Sequence, residues 1–238
     1  MKLAIAIATY RRSDGSTPKF VTRALESVKA QTHQDFKVFL IGDDYDNQKE
    51  FDEFGGMFSS DQIYKKNLKI AKERSKYSMG SKELWCSGGV NAFNILIDEI
   101  LSQGYDYICH LDDDDYWSAD HLELINQVIC SRNDVACVYT CSTYLSGYLP
   151  RLKAAQHRLD GVVYFAYPTP CHVVHSSTCV DYRKVLLRYR DVYAETGQLL
   201  EGDIDMWLRL TDFCKTHALT SYVITKITCF HDTENRRL

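Results

Sequence analysis

The chain has 238 residues, of which 45% are hydrophobic and 25% charged, and its formal net charge is −4. That is an ordinary globular composition, long enough for one large domain or two small ones with a real core, and it excludes disordered and fibrous classes. The mild acidity offers no basic field for nucleic acid, and nine scattered cysteines, an odd count without a C-x-x-C pair, argue against a zinc site or a disulfide framework.

Leu3–Ala8 is a short apolar run ended by a polar cluster, which predicts a buried strand and a loop. It is too short for a signal-peptide core or a membrane span. Phe20 to Gln31 places Val21, Ala24, Leu25 and Val28 at helical spacing, and Phe36–Ile41 is a second buried strand ended by Gly42-Asp43-Asp44. Strand, helix, strand is the start of a parallel α/β sheet. Glu50–Phe58 is expected to be helical, and Asn67–Lys76 to be strand or loop. Met79–Gly89 reads as an active-site loop with glycine hinges, Val90–Leu101 as an amphipathic helix and Tyr105–Leu111 as another buried strand. Ala119–Ile129 should be a helix capped by Ser118. Strands are expected over Val135–Tyr144, Val162–Tyr164, Cys171–Val180 and Tyr222–Cys229, with helices over Asp181–Tyr189 and Asp203–Lys215. No other window is long and uncharged enough to span a bilayer. A soluble chain in a reducing cytoplasm is expected, with peripheral membrane attachment left open. One domain is the simplest account, residues 1–117 forming a nucleotide-binding half and 118–238 an acceptor-binding half.

In open α/β sheets ligands bind outside the carboxyl ends of the strands. Acidic clusters fall there: Asp43-Asp44 after the second strand, Asp112–Asp115 after the third, and Glu201, Asp203 and Asp205 at a late helix start. A solvated turn or a helix N-terminus explains one such cluster. Four adjacent carboxylates exceed what capping needs, and hard oxygen ligands in a cluster suit Mg²⁺ or Mn²⁺. Such an ion takes one or two carboxylates and fills its shell with phosphate and water, so a diphosphate is the implied cargo. Asp43-Asp44 reads as a plain turn or as an acceptor for a nucleobase N–H or a ribose hydroxyl. Tyr10 could pack on that base.

The stretches "IAIATYRR", "FKVFLIGDDYDN", "YICHLDDDDYW" and "EGDIDMWLRL", in this order and spacing, resemble the family 2 glycosyltransferases of the GT-A fold, nearest the spore-coat polysaccharide type. "TPCHVVHSSTCVDYRKVL" adds to the likeness, which runs from Leu3 to Arg209. The resemblance implies a single Rossmann-like mixed sheet flanked by helices. It implies an inverting, Mn²⁺- or Mg²⁺-dependent enzyme that moves a sugar from a nucleotide-diphosphate donor, a UDP-sugar favoured, to a hydroxyl acceptor on a glycan or glycoconjugate. Carried over residue by residue, it puts Ala8, Tyr10, Asp43 and Asp44 around the nucleobase. Asp112 and Asp113 would face the ribose. Asp114 becomes the metal ligand, with Asp112 and His231 as further ligands, and Asn94 matches an asparagine of many relatives. Asp203 matches the catalytic base, with Asp205 as rival, because Glu201-Gly202-Asp203 replaces the usual Glu-Asp. Arg11 stands where many relatives have asparagine, and reads as a phosphate contact or a solvated residue. Asp115 is expected chiefly at the start of the next helix.

Some readings stay open on the residues alone. The lysine-rich Lys65–Lys82 is a solvated face, one of whose basic residues could hold ribose or phosphate. Trp85 and Trp117 fit an acceptor platform or the core, and His172 and His175 could face the acceptor. The alternatives are a sugar-nucleotide-forming nucleotidyltransferase, disfavoured by a first loop with only Gly15, and a non-catalytic sugar-binding module.

Overall fold

The computed structural model describes residues 2–151 and 159–231. Three parallel strands open it: β1 (Leu3–Thr9), β2 (Phe36–Gly42) and β3 (Ile63–Asn67). β4 (Tyr107–His110) joins β1 on its other side, also in parallel. Antiparallel β9 (Thr178–Asp181) then links β4 to β6 (Val135–Tyr144), which runs parallel to β10 (Thr220–Phe230). The sheet order is β3-β2-β1-β4-β9-β6-β10-β5, where β5 is Tyr116–Trp117; β7 (Gly147–Leu149) pairs with β6, and β8 (Val163–Phe165) with β10.

Alternation along β1 sends Leu3, Ile5 and Ile7 to one face and Ala4 and Ala6 to the other. The first face packs on α1 (Thr17–Lys29) and α6 (His121–Cys130), and the second on α5 (Val90–Ser102) and α9 (Gly202–Thr216). Both faces are covered, which is why the strands read as unbroken apolar runs. Shorter helices connect these elements: α2 (Gln48–Glu53), α3 (Lys72–Lys76), α4 (Lys82–Ser87), α7 (Tyr182–Val185) and α8 (Val192–Thr196).

Several expectations need correction. Asn67–Lys76 is neither one strand nor one loop: β3 ends at Asn67 and α3 begins at Lys72. Met79–Gly89 contains α4, capped by Ser81 Oγ accepting from Leu84 N–H at 3.1 Å. The helix expected at Ala119 starts at His121 with Asp120 as N-cap, and Ser118 instead donates to Asp120 at 2.6 Å. Of the expected Cys171–Val180 strand only Thr178–Val180 lies in the sheet, as part of β9. Cys171 has φ of +61°, and His175–Ser177 form a 3₁₀ turn. The helix after it ends at Val185, where Leu186 takes the left-handed conformation. All nine cysteines are free thiols, and all but Cys130 and Cys171 are buried. Among the described residues no helix is long and apolar enough to cross a membrane.

Candidate active site

Parallel strands end on one edge, and that edge collects the acids. Asp43 N–H bonds to Thr9 O at 2.7 Å where β2 leaves β1, and Leu111 N–H bonds to Ala6 O at 3.1 Å just before the four aspartates.

Those aspartates are not equivalent. Asp113 is buried; Thr9 Oγ1 donates to its Oδ2 at 2.5 Å, and Arg12 forks onto both oxygens at 3.0 and 2.7 Å. Asp112 Oδ1 lies 2.8 Å from His175 Nδ1, and its N–H donates to Ser176 Oγ at 2.9 Å. His175 Nε2 in turn lies 2.8 Å from the Tyr189 hydroxyl. Asp115, fully buried, has its oxygens 2.9 and 3.1 Å from His231 Nδ1. It does not start the next helix, because β5 intervenes. Each of these three acids thus has a basic side chain of its own. Asp114 shares Arg12, at 3.3 Å, and Arg23 donates to its backbone carbonyl.

The electrostatics follow. Burial, then repulsion from Asp113, Asp115 and Asp112, pushes the Asp114 carboxyl up to about 7 against the pull of Arg12. Burial also acts to raise Asp112, but the charge and hydrogen bond of His175 outweigh it and hold this carboxyl below the usual range. Burial acts to lower His175, and Asp112 followed by Asp203 turns that into a rise.

The expected metal set of Asp114, Asp112 and His231 is not assembled. Among the described residues no three His, Cys, Asp or Glu side chains are grouped to hold an ion. His231 is committed to Asp115 and stacks on Tyr144, ring centroids 5.4 Å apart. Asp114 nevertheless fits a hard divalent cation: it is under-compensated, and 31% of its side chain is exposed. One or two carboxylates suffice for such an ion when phosphate and water complete its shell.

Tyr10 lies beside this run with two guanidinium groups over its ring, Arg74 at 4.9 Å and Arg12 at 5.0 Å. Arg74 Nε stands 3.6 Å from Asp43 Oδ2, and its Nη2 donates to Asp44 O at 3.3 Å. Asp43 is buried, and its Oδ1 has no hydrogen-bond partner among the described residues. Burial pushes this carboxyl up, with Arg74 opposing. Exposed Asp44 sits at φ of +53° on the rim of a cleft of about 290 Å³ lined by Arg11, Asp44, Asp46, Arg74, Ser75 and Met79 among others. Arg11 pairs with Glu50 at 3.3 Å and Asp46 at 3.7 Å. Ala8 is the penultimate residue of β1, paired with Ile41. Asn94 is not at this edge's polar cluster: both ends of its amide clasp the Tyr189 backbone, at 2.9 and 2.8 Å.

The third acidic cluster opens α9. Asp205 is buried and bound by Arg190 at 2.5 Å and Arg209 at 2.7 Å. Asp203 accepts from the Ile204 N–H at 2.8 Å, and no arginine holds it among the described residues. Burial raises its carboxyl, and His175 opposes the rise. The glycine of Glu-Gly-Asp packs closely against α5, where a Cβ would meet Val90 Cγ2 at 3.0 Å.

Arg12 and Arg74 are the residues that sequence reasoning missed. Arg74 lay in the lysine-rich stretch from which one basic residue was expected, and Arg12 adjoins the one that was named. Trp117 belongs to the core, its Nε1–H donating to Ser176 O at 2.7 Å, whereas Trp85 is exposed. His172 is exposed, and His175 is buried on Asp112.

No profile of a known protein family matches the chain. An uncharacterised glycosyltransferase of Acanthamoeba polyphaga mimivirus is 34% identical over 241 residues, covering 98% of this chain and 95% of that protein. The chain belongs to the glycosyltransferases. The succinoglycan biosynthesis protein ExoW of Rhizobium meliloti is 30% identical over 142 residues, covering 60% of this glycosyltransferase and 38% of ExoW. Among solved structures, S. aureus TarS in complex with UDP-GlcNAc superposes with a TM-score of 0.64 at 11% identity, over 97% of this chain and 58% of that one. The mannosyltransferase PcManGT of Pyrobaculum calidifontis, in complex with GDP-Man and Mn²⁺, gives 0.63 at 10% identity, over 99% and 58%. This glycosyltransferase therefore spans under two thirds of the length of those two chains. The shared architecture is the GT-A fold, the mixed α/β sheet expected from the sequence.

Proposed function

We propose that this glycosyltransferase is a metal-dependent inverting enzyme of family 2. It transfers a sugar from a nucleoside-diphosphate donor, a UDP-sugar by preference, to a hydroxyl of a glycan or other glycoconjugate. The observation that carries this is the contrast on α9: Asp205 is neutralised by two arginines, while Asp203 has none among the described residues and sits close enough to His175 to raise its pKa. The donor-bound complexes of TarS and PcManGT and the polysaccharide role in ExoW's name support the donor and acceptor classes. Free thiols throughout suit a cytoplasmic setting.

Tyr10 and Arg74 would hold the base, with Asp43 Oδ1 accepting a base N–H. Asp112 faces the ribose, because Asp113 is already held by the Arg12 fork and Thr9. Residues up to 117 supply these donor contacts, and 118–238 the acceptor side. A divalent ion on Asp114, with Asp112 beside it, would supply Lewis-acid neutralisation of the diphosphate. Asp203 removes the acceptor hydroxyl proton as attack proceeds, help worth about 10²–10⁴-fold. Burial raises its carboxyl above the ordinary range, the direction that makes a carboxylate a stronger base. Attack from the face opposite the leaving group inverts the anomeric centre. The test is sugar release or transfer from UDP- and GDP-sugars with Mn²⁺. Wild type should turn over at least one donor, and Asp203→Asn should bind that donor with turnover lost. Turnover of none, or full turnover by the variant, would refute this reading.

A further inference from the structure

We propose that Arg12 sets the metal affinity of the acidic run: it fixes Asp113 and keeps a divalent ion weakly held until a nucleoside diphosphate arrives. This rests on the metal-dependent reading above.

Arg12 is built in rather than solvated. Its N–H donates to Thr17 Oγ1 at 2.8 Å, and that hydroxyl donates to Tyr10 O at 3.0 Å, so the loop after β1 is closed on itself. Its guanidinium lies 5.0 Å from the Tyr10 ring centre and 5.5 Å from that of Phe20, and only 18% of the side chain is exposed. From there it forks onto Asp113 and reaches Asp114 Oδ2 at 3.3 Å. A planar, permanently charged fork suits this double task, and a lysine would not reproduce it.

The consequence is competition. A divalent cation on Asp114 would stand a few ångströms from a fixed positive charge in a partly buried site, where repulsion is poorly screened. Arg12 also supplies the counter-charge that lets the carboxylates gather before any ion is bound. A diphosphate removes the conflict, because its negative charge attracts the ion and the guanidinium alike. Metal and nucleotide should therefore bind with positive coupling, each tightening the other by the same factor.

The test is Mn²⁺ titration of the full chain, with free Mn²⁺ read by electron paramagnetic resonance, alone and with UDP or GDP after correction for Mn²⁺–nucleotide complexes in solution. Wild type should bind Mn²⁺ weakly alone and about tenfold or more tightly with nucleotide. Arg12→Gln should bind Mn²⁺ alone about tenfold more tightly than wild type, with the nucleotide effect reduced. Arg12→Lys, which keeps charge but loses the fork, should stay near wild-type Mn²⁺ affinity while melting at a lower temperature. A folded Arg12→Gln that binds Mn²⁺ no tighter than wild type would overturn the proposal. So would an Arg12→Lys as tight as Arg12→Gln, or a wild type whose Mn²⁺ affinity ignores nucleotide; this last result stands even if Arg12→Gln does not fold. A wild type that binds no Mn²⁺ under either condition would sink the metal-dependent reading along with it.

Discussion

Asp203 and Asp205 stand two positions apart on the first turn of α9, yet among the described residues arginines bind Asp205 and not Asp203. The two acids are expected to fail in different ways when neutralised. Asp203→Asn should lose about 10²–10⁴-fold in kcat with little change in melting temperature. Asp205→Asn should leave Arg190 and Arg209 without their carboxylate and lose about 2–3 kcal/mol of stability. That is less than the roughly 3–5 kcal/mol of a fully buried pair, because Arg190 is half exposed. Denaturant unfolding beside steady-state kinetics separates them, and a swap of the two phenotypes would make Asp205 the base.

Gly202→Ala tests the altered spelling before that helix. The added Cβ meets Val90 Cγ2 at 3.0 Å, with Cys86 O at 3.6 Å and Arg190 O at 3.7 Å behind it. Overpacking of this kind costs about 1–3 kcal/mol. Because the strain falls one residue before Asp203, kcat should drop along with stability. Unchanged kcat in a destabilised variant would show that α9 does not need this close approach.

Metal binding should depend on pH through Asp114. Its carboxyl is pushed up to about 7 by burial and by its three neighbours. Below that value a proton must leave before an ion can bind, so Mn²⁺ affinity should rise from pH 6 to pH 8 and then level off. Calorimetry in two buffers of different ionisation enthalpy should detect proton release at pH 6 and little at pH 8. A flat profile would mean that Asp114 is not the ligand.

Two buried histidines predict acid sensitivity of the fold. Burial lowers His121 to about 3 and His110 well below its ordinary value. Below about pH 6.5 the unfolded chain gains protons that the folded chain refuses, so each histidine costs about 1.4 kcal/mol per pH unit there. The raised carboxyls of Asp114, Asp43 and Glu73 act with the opposite sign over part of the same window. The measurement is therefore a difference. His121 lies 2.7 Å from Thr228 Oγ1 and stacks on Trp117 at 4.2 Å. His121→Asn should be less stable than wild type at pH 7.5, and that deficit should shrink by about 2 kcal/mol at pH 5. A deficit independent of pH would mean that His121 is protonated in the fold.

Legibility along the chain followed burial. β1, α1 and β2 were readable because apolar runs and helical spacing repeat over several residues, and their burial patterns match. β3 was not, since Ile63–Asn67 is a half-buried strand of polar spelling at the sheet's edge. β5 has two residues, too few for any period. The Cys171–Val180 run reads as a strand, but its first half turns inward to carry His175 and Ser176 onto Asp112. Similarly, Asn94 matches relatives by position, and only its contacts show that it clasps the Tyr189 backbone.

The sequence by itself determined that carboxylates stand at strand ends, because strand ends follow from local pattern. Which carboxylates gain a basic side chain of their own was decided only by tertiary structure. Arg12 reaches Asp113 across 101 positions, His175 reaches Asp112 across 63 and His231 reaches Asp115 across 116. Charge compensation acts through space over a few ångströms. A chain with four identical neighbouring acids therefore cannot say, before it folds, which three will each gain a basic side chain of their own and which one will only share an arginine.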